Sequence, residues 1–255
     1  MLSPLKETVE PCLHFEASLP SAHRTNIAGW RRRTRASVEG EQTGVVRNGK
    51  AGRALIYIPI IHTQVDMGAM ARSIRRVTVQ KLGRQAWKRN VDVIGRMWEE
   101  IRRTVEGWKL PWETVRLYQD GLPKCGREAE IVTELAKAGS PNHQLLLSLM
   151  KRGATLMGAE SPDLLMEEYR LVQQILTAKD PQEAARIEAR HEAHSRLLLA
   201  KRDQYIAGRI NESLRAGETG LLFLGMLHSV EPRLAKDIRV TYPIHRPPPL
   251  RRRTR

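Results

Sequence analysis

Four apolar runs in this chain end on ionisable side chains. Pro59-Ile60-Ile61 leads to His62 and then Asp66, and Leu117-Tyr118-Gln119 leads to Asp120. Leu156-Met157-Gly158-Ala159 leads to Glu160, and the run from Leu221 through Gly225-Met226-Leu227 leads to His228. Two imidazoles and up to three carboxylates at one edge suit two kinds of chemistry. Mixed His and carboxylate donors hold one divalent ion, with zinc, manganese and iron all compatible, and such an ion lowers the pKa of water. Without metal, an imidazole titrating near neutral pH serves as a general base toward water. Both routes lead to hydrolysis. His62, Asp120, Glu160 and His228 are therefore the candidate catalytic residues, and His62, Asp66, Glu160 and His228 the candidate metal ligands. Each has a plainer reading. Asp120-Gly121 is a common turn dipeptide. Glu160 suits the start of the helix that follows. Asp66 suits a cap for a helix starting near Met67. A lone His after a strand is commonly a hydrogen-bonded loop residue. The coincidence of the four endings carries the expectation.

The elements must bring those endings together. Residues 54–62, 113–121, 154–160 and 220–228 read as strands, with 239–243 as a further edge strand. Between them lie helical segments. Residues 67–83 are mixed, and 84–107 show an amphipathic period through Trp87, Val91, Ile94, Trp98, Ile101 and Val105. Residues 126–139 close at Gly139. Ser140-Pro141 and Ser161-Pro162 open helices over 140–153 and 161–178. Residues 181–216 read as one long helix or two stacked ones, with a stripe of Ile187, His194, Leu198, Tyr205, Ile210 and Leu214, and 231–238 as a short helix. Strands separated by helices require crossover connections, which predicts an α/β fold. Its mostly parallel central sheet has four to five strands, helices on both faces and an extra helical layer. In such a sheet ligands sit at the carboxyl ends of the strands, where all four endings would fall.

The bulk numbers are those of an ordinary globular chain, with 41% hydrophobic and 28% charged residues among 255. No run is long enough to span a bilayer, and no secretory signal pattern opens the chain, so a cytosolic protein without membrane association is expected. Cys12 and Cys125 are too few for a disulfide framework. The net charge of +15 is uneven. Residues 1–53 carry +4, 243–255 carry +5, and the single domain expected over 54–242 carries +6. Residues 1–53, with WRRRTR at 30–35, read as a disordered basic extension or an upstream extension of the reading frame. Residues 243–255 read as a disordered Pro/Arg-rich tail. Nucleic-acid contact through these basic ends is the less favoured reading, because no nucleic-acid motif occurs and aromatic content is low. His191 and His194 stand three apart, not at the zincin spacing. No phosphate-binding Gly-rich loop and no GxSxG elbow occurs. Arg202 and Arg209 are candidates to reach a substrate anion.

Residues 202–230 resemble the C-terminal signature of the TraB, TIKI, erythromycin esterase-like and ChaN superfamily. There, an Arg-bearing helix with a small-residue turn precedes a strand ending in G-x-x-H, here Gly225-Met226-Leu227-His228. A second G-x-x-H near the start of the superfamily's core corresponds to Pro59-Ile60-Ile61-His62, with Pro in place of Gly, and Glu160 matches its inner acidic residue. The resemblance implies hydrolysis of a small-molecule or peptide substrate, or a non-catalytic protein binding a small molecule, metal or haem on the same scaffold.

Overall fold

The computed structural model describes residues 52–244. The remainder of the expected basic extension (1–51) and of the tail (245–255) lies outside the described residues.

Among the described residues, five strands form one all-parallel sheet: β1 (Arg53–Ile60), β2 (Val115–Gln119), β3 (Thr155–Met157), β4 (Thr219–Gly225) and β5 (Ile238–Thr241), in the order β3-β2-β4-β1-β5. The same residues form six α-helices between the first four strands: α1 (Ala71–Leu82), α2 (Arg84–Glu106), α3 (Glu128–Lys137), α4 (Pro141–Lys151), α5 (Pro162–Leu176) and α6 (Pro181–Ser213). The chain is an α/β protein. Arg53, placed in the extension by sequence, opens β1 and pairs with Asp237 at 2.7 Å. The helix expected at 231–238 is only a 3-10 turn over Glu231–Arg233.

Both faces of the sheet are covered, which is why its strands are apolar on successive residues. Ile58, Ile60, Val115, Leu117, Leu221 and Phe223 pack under α2, α3 and α4. Leu55, Tyr57, Tyr118, Leu222 and Leu224 pack under the C-terminal half of α6. Leu221, Leu222, Phe223 and Leu224 are all fully buried, and burial of each contributes about 1.5–3 kcal/mol.

Of the expected 181–216 segment, Pro181–Ser213 form one continuous helix, capped by Asp180, whose carboxylate accepts from the Gln182 and Glu183 N–H groups at 2.8 Å. Its buried stripe keeps Leu198, Ile210 and Leu214 of the expected one but not Ile187, His194 or Tyr205. Leu198, Arg202, Ile206, Ile210 and Leu214 recur every four residues and are buried, whereas Tyr205 is half-buried and His194 exposed.

The helices α2 and α6 run antiparallel to the strands. Trp98 of α2 donates from Nε1 to the Ile61 carbonyl, just past the carboxyl end of β1. The carbonyls of Asn211, in the last turn of α6, and of Leu214, just past it, accept from Arg53 at the opposite end of the sheet. The N-terminal halves of α2 and α6 therefore extend past the carboxyl ends of the strands, each paired with the helix before it. These two helical hairpins, α1–α2 and α5–α6, are the extra layer. They meet through Met67, Met70, Ile74, Val172 and Leu176, a third buried apolar cluster.

Candidate active site

The strand order sets the site. The central strand β4 lies between β1 and β2, and β3 lies beyond β2. Asp120 extends the β2–β4 ladder by one step, its N–H donating to the Phe223 carbonyl at 2.9 Å. Its Oδ2 then accepts from the Gly225 N–H at 2.9 Å, which locks the carboxylate onto the end of β4. The Gly225 carbonyl in turn accepts from the His228 N–H at 3.2 Å, so His228 sits one tight turn past the strand. His62 follows β1 on the other side of β4. Its Nε2 is 3.3 Å from Asp120 Oδ2, and His228 Nε2 is 3.6 Å from the same oxygen. Glu160 lies beyond β3, held by a bridge to Pro123 and by its N–H donating to the Leu122 carbonyl at 3.0 Å. His62, Asp120, Glu160 and His228 thus converge on one rim, with side chains no more than 5% exposed.

Two residues of α6 face this rim. Arg202 does not reach outward toward a substrate anion as expected. Its guanidinium is buried among three carboxylates: Nη2 donates to Glu160 Oε1 (2.6 Å) and Asp120 Oδ1 (3.0 Å), Nε to Glu160 Oε2 (3.3 Å), and Nη1 to both oxygens of Glu168 on α5 (3.1 and 3.0 Å). Its donors are fully engaged. Asp203, which sequence reasoning did not assign, accepts from His228 Nδ1 at 2.7 Å, while its other oxygen accepts from the Ser229 N–H at 3.0 Å. The available signal was Arg202 itself, a cation in the middle of an apolar every-fourth-residue stripe, with an acid beside it.

The site is rich in negative charge. Asp120, Glu160 and Glu168 surround the single guanidinium of Arg202, and Asp203 stands against His228. Burial works to raise the Asp120 carboxyl, but the charge of His228, the hydrogen bond to His62 and Arg202 outweigh it and hold the group well below the ordinary carboxylate range. Burial works to lower His228, yet Asp120 and the bond to Asp203 leave its imidazole raised against the opposing charge of Arg202. Because Asp203 accepts from Nδ1–H, a neutral His228 presents the lone pair of Nε2 toward Asp120 Oδ2. Two lone pairs facing across 3.6 Å require positive charge between them. A proton on Nε2 supplies it, and so does a cation.

The donor set fits a cation. His62 Nε2 and His228 Nε2 stand 3.3 and 3.6 Å from Asp120 Oδ2, close enough for that oxygen and an imidazole nitrogen to share one cation. The nearest ligand atoms of Asp120, Glu160 and His228 also fall within 4.8 Å of one another. Asp203 stands behind His228 at 2.7 Å, where an outer carboxylate would orient the imidazole toward a cation and raise its basicity. Gln119 steadies the same edge, its Nε2 donating to the Asp120 carbonyl at 3.0 Å.

Asp66, expected among the ligands, lies elsewhere. One oxygen accepts from the Thr63 N–H (2.6 Å) and hydroxyl (2.9 Å). The other accepts from the Ser140 hydroxyl at 2.5 Å, with His143 Nδ1 at 3.4 Å. Asp66 therefore anchors the backbone next to His62 to the N-terminus of α4. Nor does Arg209 reach the rim: it donates to the Gly158 carbonyl at 3.3 Å and pairs with Glu212 at 3.2 Å. His194 pairs with Glu167 at 2.8 Å on the exposed side of the α5–α6 hairpin. Cys125 is an exposed free thiol.

Compared with family models, curated proteins and solved structures, the chain matches none of them. No described helix is long and apolar enough to cross a membrane.

Proposed function

We propose that this chain is a hydrolase acting on a small-molecule or peptide substrate, with His62, Asp120, Glu160 and His228 activating water at the carboxyl rim of the sheet. The observation that carries this reading is the single carboxylate oxygen, Asp120 Oδ2, faced by two imidazole nitrogens in a buried setting. Asp120, Glu160 and His228, with His62 beside Asp120, would hold a divalent ion, which would supply Lewis acidity and a water nucleophile near neutral pH.

The chain's own groups do the rest. Asp203 fixes the ring and tautomer of His228 and stabilises positive charge on it, so Nε2 acts as a strong ligand or as the base that takes the proton from water. Arg202 balances Asp120 and Glu160 and holds both in register. The backbone N–H of Gly225 fixes the orientation of Asp120. The resemblance to the TraB, TIKI, erythromycin esterase-like and ChaN superfamily supports the same assignment: Gly225 and His228 stand at a strand end, and Arg202 on the helix before it.

The test uses the full chain, with bound metal measured by elemental analysis and hydrolysis followed on a panel of ester and peptide substrates. His62→Ala and His228→Ala are each expected to lose bound divalent metal and at least about 100-fold in hydrolysis, the scale on which general acid–base groups contribute. Unchanged metal content and unchanged hydrolysis in both variants would remove the proposal. The near-complete burial of the rim favours a second reading, a non-catalytic protein that holds a cation in the same site. Stoichiometric metal with no turnover on any substrate selects it.

A further inference from the structure

The sequence places most of the excess charge at the chain ends, but the structure exposes a second concentration within the fold. On α1, Arg72, Arg75, Arg76 and Lys81 are all exposed. On the first half of α2, Arg84, Lys88, Arg89 and Arg96 are exposed as well. The only acid between residues 71 and 96 is Asp92. Among the described residues none of the eight cations makes an ion pair, although Arg53, Arg116, Arg127, Arg196, Arg202 and Arg209 all do. The other hairpin contrasts with this one. In α5–α6, acids such as Asp163, Glu183, Glu188 and Glu192 offset Arg170, Lys179, Arg186 and Arg190.

Unpaired like charges crowded on one projecting hairpin repel one another, and an anionic partner removes that cost. We propose that the α1–α2 hairpin is a docking surface for the phosphodiester backbone of nucleic acid, bound without sequence preference. Three observations favour nucleic acid over an anionic membrane. Six of the eight cations are arginines, whose planar forks pair with phosphate oxygens bidentately. The cations also run along both arms, and at about 1.5 Å per residue a four-residue step is about 6 Å, within reach of successive phosphates at about 3.4 Å of rise per strand. Finally, Val91 is the only large exposed apolar side chain on the hairpin, so it offers no apolar face to insert among lipids. The Arg runs at 31–33 and 251–253 would add to the same attraction. This surface is separate from the buried rim and does not depend on its chemistry.

The test measures fluorescence anisotropy of a labelled 20-base-pair DNA duplex and a 20-nucleotide RNA of unrelated sequence, from 50 to 200 mM KCl, using the full chain. One variant reverses the hairpin (R75E/R76E/R84E/K88E). A control reverses as much charge on the other hairpin (R170E/K179E/R186E/R190E). Wild type is expected to bind at low salt, with log K falling linearly against log salt. The hairpin variant is expected to lose at least tenfold and to flatten the salt slope by about three, since each phosphate contact contributes about 0.9 to it. The control is expected to stay within threefold of wild type, and the milder R75Q/R76Q pair to lose affinity while melting as wild type does. Equal losses in the two charge-reversed variants, no binding to either nucleic acid, or binding only to vesicles containing 30% phosphatidylserine would each overturn the proposal.

Discussion

Asp66 separates two roles that sequence leaves merged, that of a ligand and that of a brace. Its carboxylate is buried, and burial alone would raise it. The hydrogen bond to His143, the charges of His62 and His143, and the Ser140 hydroxyl overcome that and bring it down to about 2. A carboxyl depressed in the folded state from 3.8 to about 2 stabilises the fold above pH 3.8, and that stability drains away as pH falls through 2. The contribution at neutral pH is about 2 kcal/mol, taking 1.36 kcal/mol per pKa unit. Asp66→Asn should lose about that much at pH 7 and nothing below pH 2, as measured by urea unfolding across the range. It should also retain whatever metal the wild type binds, because the carboxylate is committed to Thr63 and Ser140. His62, Asp120, Glu160 and His228 were legible from sequence because each closes an apolar run. The role of Asp66 was not, since its partners Ser140 and His143 lie more than seventy residues away. The burial of Arg202 and the part played by Asp203 likewise depend on which strands end beside α6.

The same division holds for the elements. Strands β1 and β4 were plain in the sequence because parallel strands covered on both faces read as continuous apolar runs. β3 was harder. Only Thr155–Met157 is regular, and the chain beyond it is held by loop contacts to Leu122, Pro123 and Lys124. Gly158 makes that approach possible. A Cβ there would sit 2.6 Å from Lys124 Cα and 2.8 Å from the Pro123 carbonyl oxygen, both backbone atoms. At Gly220 a Cβ would also meet an atom at 2.6 Å, but that atom is Leu55 Cδ1, the end of a side chain. Overpacking of this kind costs about 1–3 kcal/mol, more where the neighbour cannot give way. Gly158→Ala should therefore lower the melting temperature more than Gly220→Ala. It should also impair hydrolysis, because Glu160 stands two residues further on.

At the level of the whole molecule, the rim is assembled from β1, β2, β4, the chain after β3, and the two helices α5 and α6. A cation bound there should therefore stabilise the entire fold and not one loop. Three carboxylates around one guanidinium, with a fourth against His228, make the gain available, and its size follows the ratio of free ion to dissociation constant, about 2.7 kcal/mol at a hundredfold excess. Adding zinc or manganese to chelator-treated protein should raise the melting temperature, and Asp120→Asn should abolish that increment. The fold class was legible as a whole from alternating strands and helices. The arrangement of the two hairpins was not, because Met67, Met70, Ile74, Val172 and Leu176 come together only in three dimensions. Val172 lies one helical turn beyond Glu168, the outermost carboxylate on Arg202, so this apolar seam is outboard of the chemistry. Parting the two arms is one way to open side chains this deeply enclosed to a reactant. Under the hydrolase proposal, a bulky graft at Ile74 that loosens this five-residue zipper should change the rate of hydrolysis and its dependence on solvent viscosity.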